Sequence, residues 1–363
     1  MAREDISEAV FLKTRIVYDS MQDELSKRIF SLRVLYNLTG DLKHIKEIIL
    51  QTPEFKSKSM NECIDFFIMC QKYLYNQFNQ QKLIIYGAGE RGKHLHDFFN
   101  QIRWYCFCDK DPNKQHTTYC GLPVISPEQL IRDHKEDIIV IGTLKYKDEI
   151  YNELVSMGFI PEHIICNTKD PVLSDRQYFE SNIILPNKDE VFVDAGSFDC
   201  TSSLMFRKWC NNKYDKIYAF EPDPSNYLTC KTVIENSNIE NIELFNVGLW
   251  SKKDVLYFNA EGHSGSSVVE NGSYRITVVS LDEILNGKRV SFIKMDVEGS
   301  EMEALKGAKN TIITYRPKLA ISVYHKPEDI LQIPLYLQSL VPNYKFYIRH
   351  YSNYTIETVL YAI

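Results

Sequence analysis

The pattern of apolar and polar positions divides the chain into three regions. In the first 80 residues apolar side chains recur every three or four positions, as at Leu25, Ile29 and Leu32, and this spacing predicts helices. Gly40 is expected to end one of them, because glycine readily adopts the left-handed conformation that closes a helix. The predicted N-terminal region, residues 1–80, is therefore helical, and it carries no pattern that suggests chemistry.

From residue 81 onward, short apolar runs alternate with amphipathic segments. KLIIY precedes a glycine turn and a helical pattern, and WYCFC and DIIVI follow as further strands. This alternation predicts a small parallel α/β domain over residues 81–168. Residues 169–187 are polar and irregular, which is typical of a linker.

A second alternating series begins with EVFVDAG and fills residues 188–363. Its last two apolar runs, YKFYIRH and TIETVLYAI, have little chain between them and predict an antiparallel hairpin at the edge of a parallel sheet. The expected fold class is α/β: a larger C-terminal α/β domain, a smaller Rossmann-like domain before it, and an N-terminal helical segment.

Composition narrows the choice of partners. The 363 residues include 42 Lys and Arg against 48 Asp and Glu, and a net charge of −6 disfavours a nucleic acid bound through its phosphates. No run approaches the ~18 apolar residues of a membrane span, and the first residues do not resemble a secretory signal. The 9 cysteines show no C-x-x-C spacing, so free thiols in a cytoplasmic protein are expected.

The upstream glycine turn has the pattern G-x-G-x-x-G at Gly87, Gly89 and Gly92, with Arg91 inside it. Such turns let a pyrophosphate approach the backbone at a helix N-terminus. Asp109 ends the next strand, where a ribose-binding acid is expected. A nucleotide or nucleotide-sugar site and a purely structural domain remain equally open. NAD-linked redox chemistry is less favoured, because no catalytic residues follow the turn.

The downstream turn, FVDAGSFDCTSS, has a single glycine, Gly196. Asp194 ends the strand before it, and Glu221 ends the next strand, where a carboxylate can bridge two ribose hydroxyls. A ligand without phosphates needs fewer glycines, and S-adenosylmethionine fits this description. Its positive groups would suit Asp194 and Asp199. The alternative is an ordinary α/β domain with acidic residues at its strand ends.

Polar side chains also follow two later strands. Lys294, Asp296 and Glu298 lie in FIKMDVEG, and His325 follows the next strand in SVYH. Carboxylates and a histidine at one sheet edge can deprotonate a hydroxyl or hold a divalent ion, so Asp296, Glu298 and His325 are candidate metal ligands. His350 is a weaker candidate at the same edge, since a single histidine is more often structural.

With these motifs in hand, residues 188–363 resemble the FkbM family of S-adenosylmethionine-dependent methyltransferases. The resemblance rests on FVDAGSFDCTSS, YAFEPDPSNY, NVGLW and above all IKMDVEGSEMEALKGA followed by RPKLAISVYH. It implies a seven-stranded class I methyltransferase fold and O-methyl transfer to sugars or related molecules. The family usually has a second glycine where this chain has Cys200.

The resemblance also implies site residues. The cofactor would contact Asp194, Gly196, Phe198, Asp199, Thr201, Glu221, Pro222, Val247 and Asp296. The strand-end residues themselves, independently of the resemblance, suggest His325, Asp296 and Lys294 as catalytic residues, with His325, alone or together with Asp296, removing the hydroxyl proton. Residues 81–168 are similar to small Rossmann-like domains of nucleotide-sugar tailoring enzymes.

Three functions compete on this basis. The favoured one is O-methylation of a sugar or glycan, with an acceptor that can be nucleotide-linked and a homodimer that can form through the N-terminal helices. The second is a nucleotide-sugar-binding protein whose methyltransferase half is inactive. A nucleic-acid methyltransferase is disfavoured by the net charge and by the lack of basic patches.

Overall fold

Two compact units make up the computed structural model, which describes residues 3–56, 58–75, 81–100, 103–166, 172–258 and 274–363. One unit combines residues 1–40 with residues 173–363, and the other comprises residues 41–172. The predicted helical region, residues 1–80, is thus divided between the units at residue 40. Within the described part of the chain, no helix is both long and apolar enough to cross a bilayer.

Two helices open the first unit: α1 (Arg3–Ser20) and α2 (Glu24–Thr39). The Asp23 carboxylate caps α2 by accepting a hydrogen bond from the backbone N–H of Ser26, as short polar side chains commonly do at this position. Gly40 ends α2 in the left-handed conformation, with φ 68°, as predicted.

The second unit is a parallel sheet with one antiparallel edge strand. The strands are β1 (Leu83–Tyr86), β2 (Trp104–Cys108), β3 (Thr118–Tyr119), β4 (Leu122–Ile125), β5 (Ile138–Ile141) and β6 (Ile164–Cys166). Their order in the sheet is β3-β4-β2-β1-β5-β6, and only β3 runs antiparallel to its neighbour. The helices are α3 (Leu42–Ile49), α4 (Lys58–Tyr75), α5 (Glu90–Phe98), α6 (Pro127–Asp133) and α7 (Lys147–Ser156).

The first unit continues with a larger α/β arrangement. Its strands are β7 (Glu190–Ala195), β8 (Tyr214–Phe220), β9 (Ile242–Phe245), β10 (Gly248–Leu249), β11 (Asp254–Phe258), β12 (Tyr274–Val279), β13 (Phe292–Met295), β14 (Lys318–Ser322), β15 (Phe346–His350) and β16 (Thr358–Ala362). Its helices are α8 (Thr201–Trp209), α9 (Pro224–Asn236), α10 (Leu281–Leu285), α11 (Glu301–Gly307), α12 (Lys309–Tyr315) and α13 (Asp329–Leu340).

Seven of these strands form one sheet in the order β15-β16-β14-β13-β7-β8-β9. Strands β14, β13, β7, β8 and β9 are parallel, and β16 is antiparallel to both β14 and β15. The predicted edge hairpin is therefore confirmed. Strands β10, β12 and β11 form a separate small sheet. Because the parallel strands end at one edge, the residues that follow them meet there.

An aromatic core supports the large sheet. Phe192 of β7 stacks on Phe206 of α8 with ring centroids 4.3 Å apart, and Phe292 of β13 packs beside them. The segment predicted as a linker joins this core, because Tyr178 and Phe179 are buried in it. Residues 173–187 are thus part of the folded unit, and apolar contacts outweigh the polar composition that suggested a linker.

Candidate active site

The bend after β7 is built around one glycine. Gly196 has φ 79°, and a Cβ at this position would lie 1.8 Å from the backbone oxygen of Asp296. Only glycine combines this conformation with so close an approach. The backbone N–H groups of Gly196 and Ser197 both donate to the carbonyl of Phe220. The bend is therefore held against the ends of β8 and β13.

Glu221 ends β8 as a fixed, buried carboxylate. Its two oxygens accept hydrogen bonds from the backbone N–H groups of Phe198 (2.8 Å) and Asp223 (2.9 Å), and its side chain is 5% exposed. Burial raises the pKa of Glu221 to about 7, although these two hydrogen bonds lower it. The carboxylate keeps further lone pairs with which it can accept hydrogen bonds from hydroxyl groups.

Asp194 and Lys294 form a buried pair beneath the bend, with Lys294 Nζ 3.3 Å from Asp194 Oδ1. The other oxygen of Asp194 accepts hydrogen bonds from the hydroxyls of Ser202 and Ser203. Lys294 Nζ also donates to the carbonyl of Gly196 at 2.5 Å. Burial would lower the pKa of Lys294, but Asp194 and Asp296 outweigh it and raise that pKa.

These contacts change the interpretation of two predicted site residues. Asp194 was expected to face the cofactor and Lys294 to act in catalysis, yet both are nearly or fully buried and bonded to protein groups. A buried ion pair of this kind fixes local geometry. Their placement favours a structural role in holding the bend around Gly196.

The loop after Gly196 holds the other predicted cofactor residues of this segment. Phe198 has φ 51° and is 42% exposed, and Asp199 accepts a hydrogen bond from the backbone N–H of Thr201 at the start of α8. Cys200 has φ 63°, the region that favours glycine, and its thiol is buried beside that of Cys230. The chain thus accommodates a cysteine side chain in a backbone conformation that usually favours glycine.

Pro222 and Val247 lie just beyond the ends of β8 and β9. Both are half-buried, and β9 pairs with β8. The side chain of Asn246, which precedes Val247, donates to the backbone carbonyl of Glu221 at 2.9 Å. The structure therefore places these two predicted residues at neighbouring strand ends.

Carboxylates surround His325 at the ends of β13 and β14. Nε2 lies 3.3 Å from Glu298 Oε2 and 3.6 Å from Asp296 Oδ1, and Nδ1 lies 2.9 Å from Glu301 Oε1. Burial lowers the pKa of His325, but Glu298, Glu301 and Asp296 outweigh it and raise that pKa to about 11. The imidazole in this arrangement carries its proton at neutral pH. The predicted grouping of Asp296, Glu298 and His325 is present.

Two residues of this cluster were not predicted. Glu301, at the start of α11, is fully buried, and the hydroxyl of Tyr178 donates to Asp296 Oδ2 at 2.5 Å. The position of Glu301 in the first turn of a helix that follows a strand was an available signal. Tyr178 belongs to the segment expected to be a linker, and nothing in its sequence marks it.

His350 does not join the cluster. It is buried, with Nδ1 2.9 Å from the Thr358 hydroxyl and Nε2 2.9 Å from the Tyr354 carbonyl. Burial lowers the pKa of His350 to about 3, so the ring is neutral. Both ring nitrogens are engaged within the fold, which supports the structural interpretation of this histidine.

The second unit has its own cavity of about 490 Å³ at the G-x-G-x-x-G turn. Gly87, Gly89, Arg91 and Asp109 line it. Gly92 does not, and packing explains this glycine, since a Cβ there would lie 2.0 Å from the Gly87 carbonyl oxygen. A Cβ on Gly89 would meet nothing within 4 Å, and its φ of −135° suits any residue. Nothing in the protein requires glycine at position 89.

Asp109 is partly engaged within the turn. Its Oδ2 accepts from the backbone N–H of Ala88 at 2.8 Å and lies 3.3 Å from Lys114 Nζ, while Oδ1 accepts from the N–H of Asp111. The carboxylate is therefore held at the cavity wall. A ligand hydroxyl would have to share it with these groups.

The seven-stranded sheet, with its glycine bend and acidic strand ends, defines a class I methyltransferase fold. Residues 190–346 match the methyltransferase FkbM domain, and residues 79–165 match a domain described as C2185-like, N-terminal. The chain thus carries a methyltransferase FkbM domain, as its sequence resemblance predicted.

Curated relatives match part of the chain. Methyltransferase 1 of Beauveria bassiana is 28% identical over 155 residues, which cover 34% of this chain and 61% of the relative. Hexuronic acid methyltransferase AglP of Haloferax volcanii is 30% identical over 133 residues, which cover 34% of this chain and 52% of the relative. The chain therefore spans between half and two thirds of the length of these relatives.

Among solved structures, the fold is similar to a methyltransferase FkbM from Methylobacillus flagellatus. The TM-score is 0.56 at 19% identity, and the match covers 84% of this chain and 100% of the other. At this identity the likeness concerns the fold alone.

Proposed function

We propose that this protein is an S-adenosylmethionine-dependent O-methyltransferase that acts on a hydroxyl of a sugar or glycan. The observation that carries the proposal is the buried carboxylate of Glu221 beside the Gly196 bend. A carboxylate at the end of the second strand suits two vicinal ribose hydroxyls. The loop has the single glycine Gly196 instead of the glycine series of a pyrophosphate-binding turn, which favours a nucleoside without phosphates.

The proposed cofactor would lie along the ends of β7, β8 and β9. Its ribose hydroxyls would bond Glu221, and its base would lie between Pro222 and Val247. Its methionine portion would cross the bend near Gly196 and Phe198. Asp194, Asp199 and Thr201 would support the loop from behind, so they would affect binding through the conformation of the bend.

The proposed acceptor would approach the edge formed by Asp296 and His325. Methyl transfer requires the acceptor oxygen in line with the methyl group, and orientation of this kind can supply up to about 7–11 kcal/mol. Because His325 already carries its proton at neutral pH, removal of the hydroxyl proton is assigned to the Asp296 carboxylate, with His325 positioning that carboxylate and Glu298 available to pass the proton to solvent. A sugar is proposed because a relative named hexuronic acid methyltransferase is 30% identical to this chain over 133 residues.

Transfer of labelled methyl from S-adenosylmethionine to a hexuronic-acid oligosaccharide and to nucleotide-linked hexuronic acids tests this proposal. We expect a labelled methyl ether with at least one of them, and loss of labelling in His325→Ala. Glu303→Gln, which changes a half-buried carboxylate on α11 that pairs with Lys306, serves as the control. Calorimetry showing no binding of S-adenosylhomocysteine would contradict the proposal and favour an inactive methyltransferase half.

A second function is favoured by the cavity in the second unit, for which we propose a nucleotide or nucleotide-sugar ligand. Gly89 supports it, because a pyrophosphate pressed against the backbone explains a glycine that the protein itself does not require. Gly89→Ala and Gly89→Leu should both fold, since the space is open and φ is ordinary. Binding of UDP and UDP-hexoses should be weaker in Gly89→Ala than in the unchanged protein, and weakest in Gly89→Leu. Equal binding by both variants and the unchanged protein would exclude the turn as the binding site.

Two further expectations stay predictions. All nine cysteines are free in the structure, which supports the proposed cytoplasmic location. A homodimer through the N-terminal helices is supported by the exposed apolar side chains of Val10, Phe11 and Leu12 on α1. Light scattering of the unchanged protein and of Phe11→Glu would test the dimer.

A further inference from the structure

The cluster around His325 contains buried polar atoms whose hydrogen-bonding capacity is unused. Asp296 Oδ1 and Glu301 Oε2 have no hydrogen-bond partner among the described residues, and the two ring nitrogens of His325 face only carboxylate oxygens. Glu301 is fully buried. Leaving a buried carboxylate oxygen unpartnered is costly, so each of these atoms calls for a ligand.

The spacing of these atoms suits a metal ion. One donor atom each from Asp296, Glu301 and His325 can be chosen so that all three lie within 4.8 Å of one another. Around Mg²⁺, with metal–oxygen distances of about 2.1 Å, adjacent ligands lie about 3 Å apart. His325 Nε2 lies 3.6 Å from Asp296 Oδ1, and Nδ1 on the other side of the ring lies 2.9 Å from Glu301 Oε1. The two carboxylates thus lie at ligand-like spacing from the imidazole, and a small shift of the side chains would bring one donor of each residue to a single ion.

The donors are also held in place by other contacts. The backbone N–H groups of Val297 and Gly299 donate to Glu301 Oε1 at 3.0 and 3.4 Å, which leaves Oε2 free. The Tyr178 hydroxyl holds Asp296 Oδ2, which leaves Oδ1. Contacts of this kind orient metal ligands before the ion binds.

Charge supports a cation as well. Three carboxylates (Asp296, Glu298 and Glu301) lie against a single imidazole, and the nearby Lys294 is paired with Asp194. Carboxylate oxygens are the protein ligands that suit Mg²⁺ and Mn²⁺, and they outnumber the single imidazole here. The oxygen-rich donor set argues against a preference for zinc, which favours sulfur and nitrogen.

We propose that Asp296, Glu301 and His325 bind a divalent cation of the Mg²⁺ or Mn²⁺ class at the carboxyl edge of the sheet. Glu301 thus takes the place that the sequence suggested for Glu298, which lies at the more exposed side of the cluster. The role of the ion rests on the proposed function: it would polarise the acceptor hydroxyl and make its proton easier to remove. Asp296 and His325 would then act as ligands, with the ion displacing to solvent the proton that the imidazole carries in the metal-free protein, and Glu298 would accept the proton of the acceptor hydroxyl.

Binding of Mn²⁺ to the metal-free full-length protein, followed by electron paramagnetic resonance, tests the site directly. One bound ion is expected, with affinity weakened at least about tenfold in Glu301→Gln and in His325→Gln. Glu303→Gln, on the same helix, should bind like the unchanged protein. Thermal melts identify a variant that fails to fold, and the other variant then decides the question.

The outcomes separate this proposal from the proposed function, because S-adenosylhomocysteine binding is measured in parallel with EDTA present. No bound Mn²⁺ at millimolar concentration, or equal Mn²⁺ affinity in folded Glu301→Gln and His325→Gln, overturns the cation site. If S-adenosylhomocysteine still binds in that case, the methyltransferase proposal stands without it. Bound Mn²⁺ without S-adenosylhomocysteine binding would support the site and contradict the methyltransferase proposal.

Discussion

At the scale of single residues, the proposed cofactor site depends most on Glu221. Its carboxylate is fixed by two backbone N–H groups, so its remaining lone pairs point in a set direction. Glu221→Gln should weaken S-adenosylhomocysteine binding about 10–100-fold, because a hydrogen bond to a charged group contributes about 1.5–3 kcal/mol. Calorimetry measures this change. Glu243→Gln, an exposed carboxylate on the neighbouring strand, should leave the dissociation constant unaltered.

The same residue should make stability depend on pH. Burial raises the pKa of Glu221 from 4.5 to about 7, so the folded protein binds this proton more tightly than the unfolded chain does. Its contribution to stability is fully present below pH 4.5 and is lost as the pH rises through about 7. Glu221→Gln should therefore lose less stability than the unchanged protein between pH 5 and 8. Denaturant unfolding of both proteins at both pH values checks this, and an equal loss of stability in the two proteins would contradict it.

The residues that sequence reasoning predicted share a recognisable position at a strand end. Glu221, Asp296 and His325 each follow a strand, and the carboxyl edge of a parallel sheet gathers such residues. Tyr178 reaches Asp296 from a segment without secondary-structure pattern, so its role depends on tertiary packing alone. The burial of Asp194 could not be predicted either, because its contacts with Ser202, Ser203 and Lys294 form only when the sheet and α8 pack together.

At the scale of elements, the bend between β7 and α8 depends on Gly196. Gly196→Ala should destabilise the protein by more than about 3 kcal/mol, because the new Cβ would meet the Asp296 carbonyl oxygen at 1.8 Å and the backbone would have to move. Gly287 provides a matched control, since it has the same φ of 79° with nothing within 4 Å.

The comparison separates conformational strain from the collision with Asp296. Gly287→Ala should cost only about 1–2 kcal/mol, the usual cost of a left-handed conformation for a residue with a side chain. Urea unfolding of both variants gives the two free energies. Similar values for the two would mean that the close approach of β13 does not restrict the bend.

Strands and glycine turns were predictable from sequence because each is encoded locally. Apolar runs of four to seven residues marked β1, β5, β7 and β13, and the glycines marked the turns after β1 and β7. The hairpin of β15 and β16 was predictable for the same reason. The small sheet of β10, β11 and β12 was not, since separate short strands carry no signal for which sheet they join.

At the scale of the whole molecule, the first unit is discontinuous in sequence. The matched FkbM domain begins at residue 190, yet residues 1–40 belong to the same compact unit. Helix α2 packs against β15, where the Arg349 guanidinium donates to the Asp23 carboxylate at 2.7 Å. No periodicity in a helix identifies a strand more than 300 residues away, so this association could not be predicted.

Arg33 connects α2 to the active-site edge and provides the strongest test of that association. Its buried guanidinium donates to the carbonyls of Thr355 (2.6 Å) and Tyr324 (3.3 Å), and Tyr324 directly precedes His325. Arg33→Ala should destabilise the first unit by about 2–5 kcal/mol, because two buried carbonyls would lose their donors. Arg28→Ala, which changes an exposed arginine of α2, should change stability little.

Deletion of residues 1–40 extends this test to the whole unit. It would expose the apolar surface that Ile29 and Phe30 cover and remove the Arg33 and Asp23 contacts together. S-adenosylhomocysteine binding should then be lost although every predicted cofactor residue is still present. Arg33→Ala is measured in the same way for comparison, and it should still bind S-adenosylhomocysteine at low temperature. A truncated chain that binds S-adenosylhomocysteine as tightly as the full chain would show that the N-terminal helices contribute nothing to the methyltransferase fold.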